Sequence, residues 1–316
     1  EMNRLMKTLK IGTLFGLTAL LVVLFAACET PLLINGVPAG QIDLAIQGTA
    51  PQAVTTMAVG DGLTITVDVK GKDGISIGTV TLDEALLSLK EIEFELAETD
   101  EHADEEALDE ADDETTDFEG PYVVDLIADT ITPTPDLTLV YAGTYEEVKI
   151  KLDKIEGDEL DEDDTELVAN TDPLFGRSIY LLGTYEDGTN TYDFELAYDI
   201  DEEFELAGTS GVVEGFVVDE SAVNAIIIAF RLNKWFDFSN TETNSDDVDF
   251  SDLGLVFGDS IVIDENLDSS SVLDEIQEVI KENIKKSADY GEDLDGDNEL
   301  DSEEDDDPDE EDEDDD

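Results

Sequence analysis

Runs in which apolar and polar residues strictly alternate, broken by glycine-rich turns, limit this chain to a sheet protein. Over 63–69, Leu63, Ile65, Val67 and Val69 alternate with Thr64, Thr66 and Asp68, the period-2 pattern of a strand with one buried face. Lys72-Asp73-Gly74 supplies turn chemistry and the alternation resumes over 75–82, so a hairpin is expected. The apolar segment 86–96 slips by one residue at Lys90-Glu91, which either a bulged strand or two joined strands would produce. Further strands are expected at 122–127 and 137–140, at 148–152 after a Gly143-Thr144-Tyr145 turn, and at 178–182 and 192–198 around a turn at 186–190. Others follow at 203–206, 211–218 and 225–232, and Ala225 to Phe230 is apolar enough for the centre of a sheet. Many short strands without intervening helices predict a mainly β protein, an antiparallel β-sandwich or barrel, with the sandwich preferred.

One helix is expected, over 271–287. Leu273, Ile276, Ile280 and Ile284 recur at three- and four-residue steps, with Val272 and Val279 widening the stripe. Asp274 and Glu275 near its start and Lys281, Lys285 and Lys286 near its end suit the helix dipole. The most aromatic stretch, Trp235-Phe236 with Phe238, reads as core closure, or as a platform that with Tyr192 could stack on a sugar ring.

Charge sets the outer limits. The chain carries 85 acidic against 15 basic residues, a net charge of −70. A nucleic-acid partner is excluded by the want of a basic footprint, and adhesion of the folded part to anionic lipid is disfavoured. The acid is concentrated: residues 98–119 hold 13 carboxylates without a Lys or Arg, 156–172 hold nine, and 292–316 is almost entirely acidic. Such blocks read as solvated loops and a disordered tail, as a surface adapted to high salt, or as collective ligands for divalent cations.

The N-terminus reads as an address. Arg4, Lys7 and Lys10 precede an apolar run, then Ala26-Ala27 and Cys28, the single cysteine. A basic segment, an apolar segment and small residues make a secretory signal, and a cysteine at this place resembles the bacterial lipobox. The rival reading is a membrane span, for which 11–27 is near the lower length limit; the small pair before Cys28 and the uncharged flank after it favour the signal. With no second cysteine there is no intrachain disulfide. The expected organisation is a signal peptide at 1–27, a tether at 28–40 rich in Pro and Gly, and a sandwich at 41–265 with a candidate sub-domain break near 156–175. A helical segment at 266–290 and an acidic tail at 291–316 complete it.

The tail holds the most specific chemical motif. Asp293, Asp295, Asp297, Glu299, Asp301 and Glu304 stand at the ligand positions of an EF-hand calcium loop, with Leu300 at its inward apolar position and Asn298 at the sharp turn. Glu299 would contribute its backbone carbonyl and Glu304 both carboxylate oxygens. Gly291 before the loop and Pro308 after it argue against a full helix–loop–helix unit, so weak calcium binding is expected. Catalysis has little to work with. The one histidine, His102, lies in an acidic block, and no Ser-His-Asp set, phosphate-binding glycine loop or His-based zinc spacing is present. The chain is read as a non-enzyme, with a hydrolase using two carboxylates as the remote alternative.

The succession of the 88–96 strand, an acidic excursion, Val123 to Ala128, and the Ala142-Gly143-Thr144-Tyr145 turn feeding a strand is similar to a family of bacterial lipoprotein domains known as domain of unknown function 4382. Asp125-Leu126-Ile127 matches that family's leucine-rich segment. The resemblance implies an envelope β-sandwich and no catalytic residues. The sequence as a whole therefore points to an exported, lipid-anchored envelope protein of binding or structural type, set at the outer membrane or cell surface and stabilised by calcium. Its partners would be the membrane through Cys28, divalent cations, and a protein or glycan ligand; a cell-surface carbohydrate-binding module is the alternative. Metabolic labelling with a fatty-acid analogue should mark the wild-type chain and fail for Cys28→Ser, and equal labelling of both would contradict lipidation at this residue.

Overall fold

The computed structural model describes residues 32–50, 63–97, 115–155, 172–208, 215–239, 248–252, 260–264 and 271–292. The strands are β1 (Leu33–Ile34), β2 (Val37–Thr49), β3 (Ile65–Lys70), β4 (Ser76–Leu96), β5 (Thr115–Asp125), β6 (Thr130–Thr132), β7 (Thr138–Tyr141), β8 (Gly143–Leu152), β9 (Ile179–Glu186), β10 (Thr191–Tyr198), β11 (Glu202–Glu205), β12 (Ala207–Gly208), β13 (Phe216–Val218), β14 (Val223–Arg231), β15 (Ser260–Asp264) and β16 (Ala288–Glu292). Among the described residues two helices are defined, the single turn α1 (Leu232–Trp235) and α2 (Ser271–Lys285).

Strand β4 organises the larger sheet. Its first half pairs with β3 on one edge and β9 on the other, and its second half with β5 and β8. Among its register shifts, two, at Leu82/Glu84 and Leu89/Glu91, lie away from its ends. Each shift resets the alternation, so that Val80 and Leu82, then Ala85, Leu87 and Leu89, then Ile92, Phe94 and Leu96 all face the interior. The slip read at Lys90-Glu91 is thus a bulge inside one strand, and that strand continues without a break into the hairpin arm at 76–82. Gly120 lies against this bulge, where a Cβ would come within 2.5 Å of the Leu89 carbonyl oxygen; only glycine lets β5 approach so closely. The expected β3–β4 and β9–β10 hairpins both form.

The smaller sheet runs β1-β2-β14-β16-β12, with β7 also on β2. Ile226, Ile228 and Phe230 of β14 share one core with Ile42, Leu44 and Ile46 of β2 and with the inward residues of β4, β8, β9 and β10. The mainly β, sandwich-like fold is therefore as expected, and β14 does lie inside a sheet. Its pairings are mixed: β2 with β14, β12 with β16 and β10 with β15 are parallel, where an antiparallel sandwich was expected. The core spans chain on both sides of the proposed break near 156–175, since β8 and β9 lie on the same edge of β4.

Three boundaries are corrected. Strands β1 and β2 occupy most of 33–40, expected as tether, because Ile34 and Val37 close a turn through Asn35 and Gly36, both with positive φ. Residues 115–119, the end of an acidic block expected as a solvated loop, form the start of β5, because Phe118 is buried and anchors that register. After α2 the chain returns to the sheet as β16, so 288–292 is neither helix nor tail. The rest of the expected tether and tail lies outside the described residues.

Helix α2 buries Ile276, Val279, Ile280 and Ile284, as its apolar stripe requires. Trp235 is completely enclosed; its indole N–H donates to Ser287 Oγ at 2.6 Å, and Phe230 meets its ring edge to face. It closes the core and presents no platform to a sugar; Tyr192 is half-buried. Among the described residues no helix is long and apolar enough to cross a membrane.

Ser287→Ala, which strips the buried indole N–H of its acceptor, should cost about 1–3 kcal/mol, and Trp235→Ala about 3–5 kcal/mol, each read as a lower urea midpoint. Burial pushes the Tyr145, Tyr180 and Tyr185 phenols from about 10 up to about 12. Their folded values lie above the unfolded one, so their contribution is complete below pH 10 and is lost as pH rises through about 12. A part of the tyrosinate absorbance should therefore appear only together with unfolding in that window, and ionisation of all eight tyrosines near pH 10 without unfolding would contradict it.

Candidate functional site

Alternation fixes what the outer face of the larger sheet carries. Because Ile92 and Phe94 of β4, Phe118 of β5, and Val148, Ile150 and Leu152 of β8 point inward, Glu91, Glu93, Glu95, Asp117, Glu119, Glu147, Lys149 and Lys151 point outward. Glu203 and Glu205 of β11 are exposed beside them. Strand register sets these side chains in two rows, Asp117–Glu93–Lys149–Glu205 and Glu119–Glu91–Lys151–Glu203. Each row opens with two carboxylates directly opposite one another, an arrangement that costs stability.

Lys149 answers part of that cost. Its ammonium donates to Glu147 at 2.8 Å, Glu95 at 3.1 Å and Glu93 at 3.2 Å. Hydrogen bonds to Glu147 and Glu95 first, and to Glu93 after them, hold it well above the usual lysine range. On the β5 side, one carboxylate oxygen each from Glu91, Glu93 and Asp117 lies within 4.8 Å of the others. Oxygens on one calcium ion, each 2.3–2.6 Å from it, fall within about 5 Å of one another, so these three fit part of a coordination sphere. Water would have to complete the six to eight ligands calcium takes.

Next to the rows, at the β4 bulge, the same face sinks into a pocket of about 220 Å³ lined by Ser88, Lys90, Gly120, Pro121, Asp153 and Lys154. Asp153 holds it together: its carboxylate accepts from Lys90 Nζ at 2.9 Å and from the Lys154 backbone N–H at 2.8 Å. Burial pushes the Asp153 carboxyl up, but these bonds outweigh it and set the group below the usual carboxylate range. Lys154 Nζ pairs with Asp199 at 3.0 Å. Beyond the pocket a small apolar cluster, Ile155, Leu174, Tyr180 and Ala197, covers the outer face of the sheet.

Cys28, the calcium-loop residues Asp293, Asp295, Asp297, Glu299, Asp301 and Glu304, and His102 lie outside the described residues. The sequence reading did not single out Glu91, Glu93 and Asp117. Alternation over 91–96 shows the two glutamates sharing a face, but nothing in the sequence says that Asp117 pairs beside them. The pocket had one visible signal, the slip at Lys90-Glu91.

No protein-family model matches the chain, and neither a curated protein nor a solved structure matches it.

Lys149→Gln removes the cation shared by three carboxylates and should lower stability by roughly 1 kcal/mol at low salt. The deficit should shrink as added salt screens the remaining charges, and a deficit independent of salt would contradict the electrostatic origin.

Proposed function

We propose that this chain is an exported, lipid-anchored protein of a bacterial cell envelope, of binding or structural type, whose acidic surfaces take up divalent cations, calcium foremost. The observation that carries the cation reading is the registered group Glu91, Glu93 and Asp117 on an open sheet face. Three carboxylates held this close cost stability unless positive charge is supplied, and Lys149 donates to Glu93 of the three at 3.2 Å. The EF-hand-like loop at 293–304 adds a second candidate in the sequence.

The anchoring reading rests on Arg4, Lys7, Lys10, Ala26, Ala27 and Cys28. It is supported by the place of the first described strand, β1, which starts at Leu33 on the edge of the smaller sheet, five residues after Cys28. At no more than about 3.6 Å per residue, a lipid on Cys28 would hold that edge within roughly 18 Å of its attachment point. The carboxylate rows lie on the outer face of the other sheet, where a sandwich held by the smaller sheet presents them outward. The sequence resemblance to the lipoprotein domain family is in line with this reading, and a net charge of −70 disfavours nucleic acid as a partner.

Calcium titration of the full chain tests it. Heat uptake by calorimetry and a rise in melting temperature are expected with dissociation constants of about 10⁻⁴ to 10⁻³ M. Deleting 293–316 should remove the contribution of the loop, and Glu93→Gln with Asp117→Asn that of the sheet face. Unchanged heats and melting in all forms would overturn the cation reading, and a stoichiometry far above the number of these two sites would replace it with diffuse binding to a polyanion.

A further inference from the structure

We propose, resting on the anchoring reading above, that the end of the sandwich at which β2 starts lies against a bilayer of neutral lipid, its exposed aliphatic side chains dipping into the headgroup layer. Leu33, Leu137, Leu139, Val217 and Val223 are five of the seven large apolar residues exposed among the described ones. The other two, Leu63 and Ile75, lie before and after β3. Scattered exposed apolar residues are ordinary on a soluble protein. Gathered at one place they mark a contact with another apolar surface.

The segments that carry the five meet at the first residues of β2. The Leu32 N–H donates to Ser221 Oγ at 3.1 Å, the Ser221 N–H to the Ala39 carbonyl at 2.7 Å, and the Ala142 N–H to the Pro38 carbonyl at 3.1 Å. Leu33 pairs with Pro38. Leu139 of β7 and Val223 of β14 both pair with Gln41, one from each edge of β2, so the two flank it on one face of the smaller sheet. Burial of Val140 on the inner face is what turns Leu139 out. Val217 stands on β13, whose next residue lies against Gly40: a Cβ there would come within 2.6 Å of Val218 Cγ1.

Two observations choose lipid as the occupant, and neutral lipid in particular. Cys28 stands five residues before Leu33, a reach of no more than about 18 Å, so an acyl chain there delivers this end to the bilayer. β2 is 13 residues long, and its far end, where β14 runs into α1, lies about 43 Å further along the strand. Tethering makes the contact intramolecular, at an effective concentration near millimolar for a short linker, so a few partly exposed side chains suffice. Residues 32–49, 130–148 and 215–230, which build this end, contain no Lys or Arg, and Asp136, Asp219 and Glu220 among them are exposed. Anionic headgroups would repel such a surface; its attraction to a bilayer comes from the transfer of apolar side chains.

Brominated lipid tests the orientation. The full chain, lipidated during export, is reconstituted into phosphatidylcholine vesicles with bromine on the acyl chains, and tryptophan fluorescence is read. Trp235 is completely enclosed, so the wild type sets the background. Leu139→Trp should lose its added fluorescence to the bromine, and Ile75→Trp should keep it. For the unanchored Cys28→Ser chain, sedimentation with phosphatidylcholine vesicles should show weak binding that is insensitive to salt. Leu139→Asp combined with Val223→Asp should weaken it about tenfold, Ile75→Asp should leave it unchanged, and admixture of phosphatidylglycerol should weaken it. An attached chain in which Leu139→Trp is quenched no more than Ile75→Trp would overturn the lipid-facing end alone; vesicle attachment of the wild type no tighter than that of Cys28→Ser would overturn the anchoring reading and this one with it. Absence of quenching together with dimers that Leu139→Asp dissociates would assign the surface to a second copy of the chain instead.

Discussion

The backbone ladder along β4 is the interaction on which the rest depends. A 21-residue strand is long for a globular protein, where ten residues is already near the usual limit. It persists because four other strands share its two edges, β3 and β5 on one and β9 and β8 on the other. A flat strand of this length could not keep one face on a twisted core. The two bulges relieve that conflict, each returning the apolar residues to the inside after a half-sheet has drifted. The bulge at Lys90 also leaves a hollow, so the device that lets the strand span the molecule creates the pocket beside the carboxylate rows.

A chain this acidic has to place its few cations with care, and they act as staples between elements remote in sequence. Lys70 of β3 pairs with Asp237 after α1, Lys154 after β8 with Asp199 after β10, and Arg231 of β14 with Asp289 of β16. Lys281 and Lys285 of α2 both reach Glu202 of β11, tying the helix to the larger sheet. Exposed pairs of this kind contribute little singly. Their value lies in relieving carboxylates that the sheet forces together, which Lys149 does for three at once. Elsewhere the sheet brings carboxylates together, as at Glu91, Glu93 and Asp117, whose oxygens lie within 4.8 Å of one another.

Local elements were legible in the sequence because their causes are local. Hairpins at β3–β4 and β9–β10 follow from alternation around glycine turns; at the second, Gly188 takes a positive φ and Asp187 accepts from the backbone N–H groups of Thr189 and Asn190. The bulge at Lys90, the buried β14 and the stripe of α2 were legible for the same reason. What the sequence hid depends on distant partners. The β2–β14 pairing joins residues about 180 positions apart, Ile42 beside Asn224 and Ile46 beside Ile228, and no turn marks it. β16 is short, and its Asp289 and Gly291 do not look like strand residues; they are held there by Ala229 and Ile227 of β14. The same limit applies to the site. Glu91 and Glu93 could be placed on one face from alternation, but Asp117 joins them only through a register that Phe118 and the shape of the core impose.

One core around one shared strand implies one cooperative unit, even though acidic segments separate β4 from β5 and β8 from β9 in the sequence. Native-state hydrogen exchange along β4 measures this directly. Amides at Val80 and Leu82, in the half shared with β3 and β9, and at Ile92 and Phe94, in the half shared with β5 and β8, should exchange only through global opening, with a common free energy and a common denaturant dependence. Two separate opening energies, one for each half of the strand, would contradict a single core and divide the chain into two domains that merely meet at Lys90.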